Sequence, residues 1–322
     1  MRFVTFSDGP AERVGALREG NGEVVDLASA AASAPDAAAL GSLQQIIGGG
    51  DDALARCAQL LRNPPAVAIR PLAQCSLLAP LPRPLQMRDF IAFERHLTQC
   101  LRTAALMRGE SEQVADAARP PPAWYQQPLY YKCNRLAVCG TGTEVRWPAY
   151  SSVMDYELEF AAVIGRGGRD IPSAVAHQHI FGYMIFNDLS ARDAQLAEMP
   201  GMLGPAKSKD FDNANVLGPW LVTADEVGDP YGLSMAVSVN GQLRGEGNSA
   251  TMHWTFDRIV AHLSQSETLY PGEVLGSGTV GDGCGLESGR FLADGDEVTL
   301  RVDGLGELSN RIFAPHTTSV LS

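Results

Sequence analysis

The sequence predicts a mainly β protein of the α+β class, and three observations carry that expectation. Short apolar segments punctuated by Gly and Pro recur along most of the 322 residues. The run Asp155-Tyr156-Glu157-Leu158-Glu159-Phe160 alternates acidic and apolar side chains with the period of a strand, then leads into Ala161-Ala162-Val163-Ile164. Asn240-Gly241 lies between two alternating segments, and a type I′ hairpin turn favours that pair because both positions need φ > 0.

Residues 1–80 read as a small N-terminal module. Strands at 3–6 and 13–17 pair around Asp8-Gly9-Pro10, followed by an Ala-rich stretch (28–40) and a helix over 52–62. Closely spaced prolines at 80, 82 and 84 place a boundary there, because proline breaks helix and central strand alike. A catalytic domain is expected over 81–322. Its first part, 88–107, reads as a helix with Phe90, Phe93, Leu97, Leu101 and Ala104 at three- and four-residue spacing. The polar stretch 109–122 reads as a loop without a core of its own, so 88–122 forms a lid segment. Strands are expected at 129–133, 136–139, 156–164, 218–223, 234–239, 273–276 and 297–302, and helices near 172–179 and 255–265.

Composition narrows the partners. Asp and Glu number 37 against 25 Lys and Arg, and a net charge of −12 repels phosphate backbones and anionic lipids. No nucleic acid and no membrane are therefore expected. The six cysteines contain no CxxC pair and read as free thiols in a reducing cytoplasm. The opening Met1-Arg2-Phe3-Val4-Thr5-Phe6 lacks the apolar core of a secretory signal, so the expected location is cytoplasmic.

The acidic strand poses an electrostatic problem. Asp155, Glu157 and Glu159 fall on one face and repel one another unless positive charge sits among them; a hard divalent cation is the simplest answer. Asp188 adds a carboxylate, and on a helix Asp188, Arg192 and Gln195 would share one face. The plain alternative is a surface Asp–Arg pair worth about 0.3–0.5 kcal/mol. Asp89 and His96, on a helix over 88–107, would face one cavity about 10 Å apart. Lys207-Ser208-Lys209 offers a lysine to offset the surplus acids and to donate to an oxyanion. The glycine-rich run from Gly276 to Glu287 lets backbone approach a ligand and aim N–H groups at it. No Gly-Lys-Ser/Thr follows it, so it is no P-loop.

Together these runs resemble the fumarylacetoacetate hydrolase family over most of 85–313. The matching pieces are Asp155-Tyr156-Glu157-Leu158-Glu159, Ile180-Phe181-Gly182-Tyr183-Met184-Ile185-Phe186-Asn187-Asp188, Ser190-Ala191-Arg192-Asp193-Ala194-Gln195, Lys209-Asp210-Phe211, Gly278-Thr279 and Gly304-Leu305-Gly306-Glu307-Leu308. The resemblance implies a β-roll of stacked mixed sheets, a homodimer and an active-site divalent cation, Mg²⁺ first, with Mn²⁺ and Ca²⁺ as alternatives. It implies Asp89, Glu157, Glu159 and Asp188 as metal carboxylates, with Asp155 a structural neighbour. His96 becomes the general base paired with Glu287. Arg192, Gln195 and Lys209 anchor substrate and oxyanion, and Thr279 contacts a substrate carboxylate. Ile91 and Met199 stand where the family's name-giving enzyme has substrate-binding tyrosines, which implies a more apolar substrate end; Asn213, at the metal-loop position four after Lys209, stands where it has Thr. The implied reaction is cation-dependent hydrolysis of a C–C bond in a 1,3-dicarbonyl compound, an acylpyruvate or fumarylacetoacetate-like ring-cleavage product. Decarboxylation, isomerisation or hydration of a 2-oxo acid is the alternative.

Overall fold

The strand Leu158–Ile164 is buried along its whole length, and its apolar side chains serve two cores. A computed structural model describes residues 1–18, 20, 22–31 and 37–315. Leu158, Phe160, Ala162 and Ile164 pack into one core with Val237, Val298, Leu300 and Leu308. Ala161 and Val163 point the other way, into a core with Phe3, Leu27, Leu43, Ile46, Met184 and Phe186. A strand covered on both faces needs a continuous apolar run, and Ala161–Ala162–Val163–Ile164 is one.

The large mixed sheet runs in the order Ile69–Pro71, Glu23–Asp26, Ala11–Leu17, Arg2–Asp8, Asn215–Thr223, Ile180–Asp188, Leu158–Ile164, Val274–Gly276, Met87–Phe90, Tyr130–Lys132. Most neighbours are antiparallel; Val274–Gly276 and Met87–Phe90 run parallel. A second sheet stacks on it, in the order Gln242–Asn248, Ser234–Val239, Asp296–Val302, Gly306–Phe313, Glu144–Arg146. The architecture is therefore one of stacked mixed sheets. Residues 1–80 supply strands that join the large sheet directly, with Arg2 and Phe3 paired to Val222 and Leu221. Asn240 and Gly241 both take positive φ, 52° and 73°, at the tip of the expected hairpin. The helices are Gly50–Arg62 and Phe256–Leu263 where expected, and Ser173–His179 forms as a 3₁₀ helix. Part of the Ala-rich stretch, residues 32–36, lies outside the described residues.

Several local expectations are corrected. Residues 88–107 are not one helix: Met87–Phe90 is a strand, and the helix is Glu94–Met107. All four strand residues are buried, Met87 in one core and Phe90 in the other, so two-sided burial overrides the helical spacing. The acidic strand is broken at Tyr156-Glu157 into Met154–Asp155 and Leu158–Ile164, because Met154–Asp155 pairs with Ser190–Ala191 outside the large sheet. Ile180–Asp188 and Gly306–Phe313 are strands that the sequence reading did not place. The first is buried throughout and has no alternation to betray it.

The stretch 109–122 is also more anchored than a coreless loop. It carries the helix Glu112–Asp116 and starts Pro122–Gln126, whose Trp124 is fully buried. The Trp124 indole donates to the Ile91 carbonyl, and Trp254 Nε1 donates to the Trp124 carbonyl at 2.8 Å. Trp124→Ala is expected to destabilise the fold by about 3–5 kcal/mol, read by chemical denaturation. A cost under about 1 kcal/mol would show that this segment is not held by its tryptophan.

Candidate metal and catalytic site

Register alone gathers the site. Asp89 pairs with Gly276 and with Tyr131, Gly276 pairs with Ala161, and Ala161 with Met184. Directly paired residues share a face, and so do residues two apart on one strand. Asp89, Tyr131, Glu159 (two before Ala161) and Asp188 (four after Met184) therefore project from the same face of the large sheet. Gly276 leaves room between them: a Cβ there would lie 2.3 Å from Asp89 Oδ1. Gly278, at φ +75°, lets its loop touch the Phe90 carbonyl, and its N–H donates to Asp89 Oδ1 at 3.1 Å.

Ligand oxygens of Asp89, Glu159 and Asp188 lie within 4.8 Å of one another, and all three residues are buried. Two of their oxygens, Glu159 Oε2 and Asp188 Oδ1, are buried with no hydrogen-bond partner. Orphaned buried acceptors cost free energy, and here they converge. An all-oxygen set of this kind suits a hard divalent cation, so the residues present fit one.

Glu157 takes a different place. Its Oε1 accepts from Arg192 at 2.7 Å and its Oε2 from Lys209 at 2.6 Å. Lys209 Nζ also donates to Asp188, and Arg192 Nε donates to Asp155 at 2.8 Å. Arg192 and Lys209 thus supply the positive charge that the acidic strand demanded. Burial pushes the Glu157 carboxyl up, but Lys209 and Arg192 outweigh it and hold the group below the usual carboxylate range. Burial pushes Asp188 up to about 6. Burial and then the Asp188 charge push Asp89 up to about 8. Glu159 is raised well above the carboxylate range, by burial first and then by Asp89.

The remaining expected residues are placed as follows. His96 is buried on the helix Glu94–Met107, with Nδ1 3.1 Å from Glu287 Oε1. Glu287 is itself fixed by the N–H groups of Asp282 and Cys284, at 3.1 and 2.8 Å. Gln195 Oε1 accepts from Arg192 at 2.9 Å. Asp188 ends a strand while Arg192 begins the helix Arg192–Glu198, so the expected common helical face is corrected: Asp188 meets Lys209, and Arg192 meets Glu157. The expected helical separation of Asp89 and His96 falls with the helix that carried it. Thr279 donates to Glu159 at 3.1 Å. Ile91 is half-buried, and its carbonyl receives the Trp124 indole. Met199 is 46% exposed, outside the buried cluster. Asn213 takes a φ of 63° in the turn after Lys209.

Two features escaped the sequence reading. Tyr131 donates to Asp188 at 2.6 Å, and its ring lies under Lys209 Nζ. Its signal was the strand 129–133, which alternation would have aimed at the same face. The glycine-rich loop also aims its N–H groups at the chain's own carboxylates: Gly285 and Leu286 donate to Asp155 at 2.7 and 2.8 Å. Asp155 is thereby the tie between that loop and Arg192.

Stacked open sheets with oxygen ligands gathered beside a His–Glu pair define a β-roll with the makings of a cation site. The profile "Fumarylacetoacetate (FAA) hydrolase C-terminal" matches residues 99–313. A Burkholderia ambifaria protein that carries only the general name hydrolase is 38% identical over 199 residues, 61% of this chain and 68% of its own. The 5-carboxymethyl-2-hydroxymuconate delta-isomerase of Mycobacterium smegmatis superposes with a TM-score of 0.69 at 25% identity, covering 98% of this chain and 100% of that one. The maleylpyruvate hydrolase of Sphingobium sp. SYK-6 gives 0.72 at 23% identity with the same coverage. The chain belongs to the fumarylacetoacetate hydrolase family.

The raised carboxyls make stability depend on cation and pH together. Their folded values lie above the unfolded value of about 3.9, so between about pH 4 and 8 the chelator-treated fold binds more protons than the unfolded chain. That contribution to stability is present at low pH and is lost as pH rises through the window. A cation competes with those protons, so the melting-temperature gain from saturating Mg²⁺ or Mn²⁺ is expected to be larger near about pH 8 than near about pH 5.5. Glu159→Gln should remove most of the gain. Equal gains at both pH values would contradict this assignment.

Proposed function

We propose that this protein is a divalent-cation-dependent hydrolase that cleaves a C–C bond in a 1,3-dicarbonyl compound such as an acylpyruvate. The observation that carries the reading is the buried His96–Glu287 pair beside the carboxylate cluster, close enough for His96 to help hold Glu157 ionised. A cation held by Asp89, Glu159 and Asp188, with Glu157 as a further ligand, would act as Lewis acid and template for two substrate oxygens. The manganese ion and pyruvate bound by the Sphingobium protein are of the matching chemical types. On the resemblance, the enzyme works as a cytoplasmic homodimer on an aromatic ring-cleavage product.

In this reading Glu287 orients the imidazole, and His96 takes a proton from the attacking water. Burial lowers the His96 value, but bonding to Cys284 and Glu287 outweighs it and pushes the group up to about 10. Positive charge added at the carboxylates opposes the imidazolium, so the neutral base belongs to the loaded site. Lys209, Arg192 and Gln195 donate to the oxyanion that water attack creates. His96 is buried on the helix Glu94–Met107, which limits the access of bulk water to it.

A panel of acylpyruvates and 3-oxo acids, with Mg²⁺, Mn²⁺ or chelator present, tests the proposal. Loss of the enol absorbance with pyruvate and a carboxylic acid as products is expected, and chelator should stop it. His96→Ala and Glu287→Gln should each lower turnover about 10²–10⁴-fold. Unchanged C–C hydrolysis in His96→Ala would refute the mechanism. Isomerisation or decarboxylation that survives His96→Ala would favour the second reading, which the likeness to the delta-isomerase supports.

A further inference from the structure

His96 stands at the centre of a second cluster of ligating atoms. Cys100 follows it by four residues on the helix Glu94–Met107, on the same helical face. Cys100 Sγ lies 3.6 Å from His96 Nδ1 and 3.7 Å from Nε2. Cys284, at the N-cap of the helix Gly285–Ser288, brings its Sγ to 3.9 Å from Nδ1. One ligand atom from each of the three residues lies within 4.8 Å of the others, and both thiols are free. Neighbouring ligands of a tetrahedral ion are this close when metal–nitrogen bonds are about 2.0–2.1 Å and metal–sulfur bonds about 2.3 Å.

The two clusters differ in chemistry. Asp89, Glu159 and Asp188 offer only oxygen, which suits hard cations, whereas thiolate and imidazole select borderline and soft ones. We propose that His96, Cys100 and Cys284 form a second metal site, selective for Zn²⁺ and similar thiophilic cations. On binding, two thiol S–H bonds break, their protons pass to solvent, and two metal–sulfur bonds form; water completes the shell. A coordinating thiol is deprotonated by the ion itself, so the neutral, buried Cys284 is no obstacle. Cys100 Sγ is almost equidistant from the two ring nitrogens and so lies over the ring face; the imidazole turns on binding and gives its ring nitrogen to the ion in place of Glu287.

The site rests on this geometry alone. Its consequence, inhibition by Zn²⁺ under saturating Mg²⁺, also rests on His96 being the base. The full-length protein, reduced with a phosphine and held in excess Mg²⁺, is titrated with Co²⁺ as a spectroscopic stand-in for Zn²⁺. A near-ultraviolet thiolate-to-cobalt charge-transfer band is expected to saturate at one equivalent. Glu159→Gln should keep that band, and Cys100→Ser with Cys284→Ser should lose it. Serine at 284 can still cap the helix, and if the double variant misfolds, Cys100→Ser alone, which leaves that cap untouched, should weaken the band. No band in the wild type, or a band that survives in the double variant, overturns the site. Zn²⁺ should also inhibit the wild type, and it should not lower the double variant's own Mg²⁺-supported turnover. A full cobalt band without Zn²⁺ inhibition would uphold the site and refute His96 as base.

Discussion

Five carboxyl groups, those of Asp89, Asp155, Glu157, Glu159 and Asp188, are buried close together, and Arg192 and Lys209 are the buried cations that touch them. Burying a charge without a partner costs several kcal/mol, so this imbalance must be met by protons or by added positive charge. The structure divides the burden. Lys209 and Arg192 hold Glu157 ionised, and Asp155 is paired with Arg192 although burial pushes its carboxyl up, while Asp89, Glu159 and Asp188 are pushed toward their protonated forms. The second set is also the one with oxygens that find no donor. A divalent cation resolves both problems at once.

The sheet exists around that constraint. The three clustered acids Asp89, Glu159 and Asp188 come from strands Met87–Phe90, Leu158–Ile164 and Ile180–Asp188, on one face. Residues 1–80 cover the apolar part of the same face through Leu27, Leu43, Ile46 and Ile47, so the acids lie at the edge of a sealed core. The opposite face carries Leu158 and Phe160 into the core shared with the second sheet. The rigidity of the site therefore comes from two cores that grip the same strands from both sides.

Much of this was legible in the sequence. Alternation put Glu159 on a strand, with Glu157 at the break just before it, Asn240-Gly241 marked its hairpin, and the spaced motifs carried the family. What was hidden has a physical cause in each case. Met87–Phe90 looked helical because Phe90 and Phe93 happen to fit a three-residue spacing, while its burial on both faces shows only once its neighbours are in place. Ile180–Asp188 has no period because both of its faces are covered. Tyr131 lay on the expected strand 129–133 but carries no charge to single it out, and the partners of Asp155 in the glycine-rich loop lie about 130 positions away. The helical geometry drawn for Asp89 with His96, and for Asp188 with Arg192, failed because tertiary pairing placed the acids on strands and the basic groups on helices.

The convergence of Cys100 and Cys284 on His96 had no sequence signal either, since 184 positions part the two thiols. It arises because the helix Glu94–Met107 docks against the glycine-rich loop that also holds Glu287. One measurement tests the central claim most directly: crystals grown with Mn²⁺ and examined for anomalous scattering. The account predicts a single strong peak in the large-sheet face, bonded to oxygens of Asp89, Glu159 and Asp188. Full occupancy elsewhere, with those three carboxylates unbound, would contradict it.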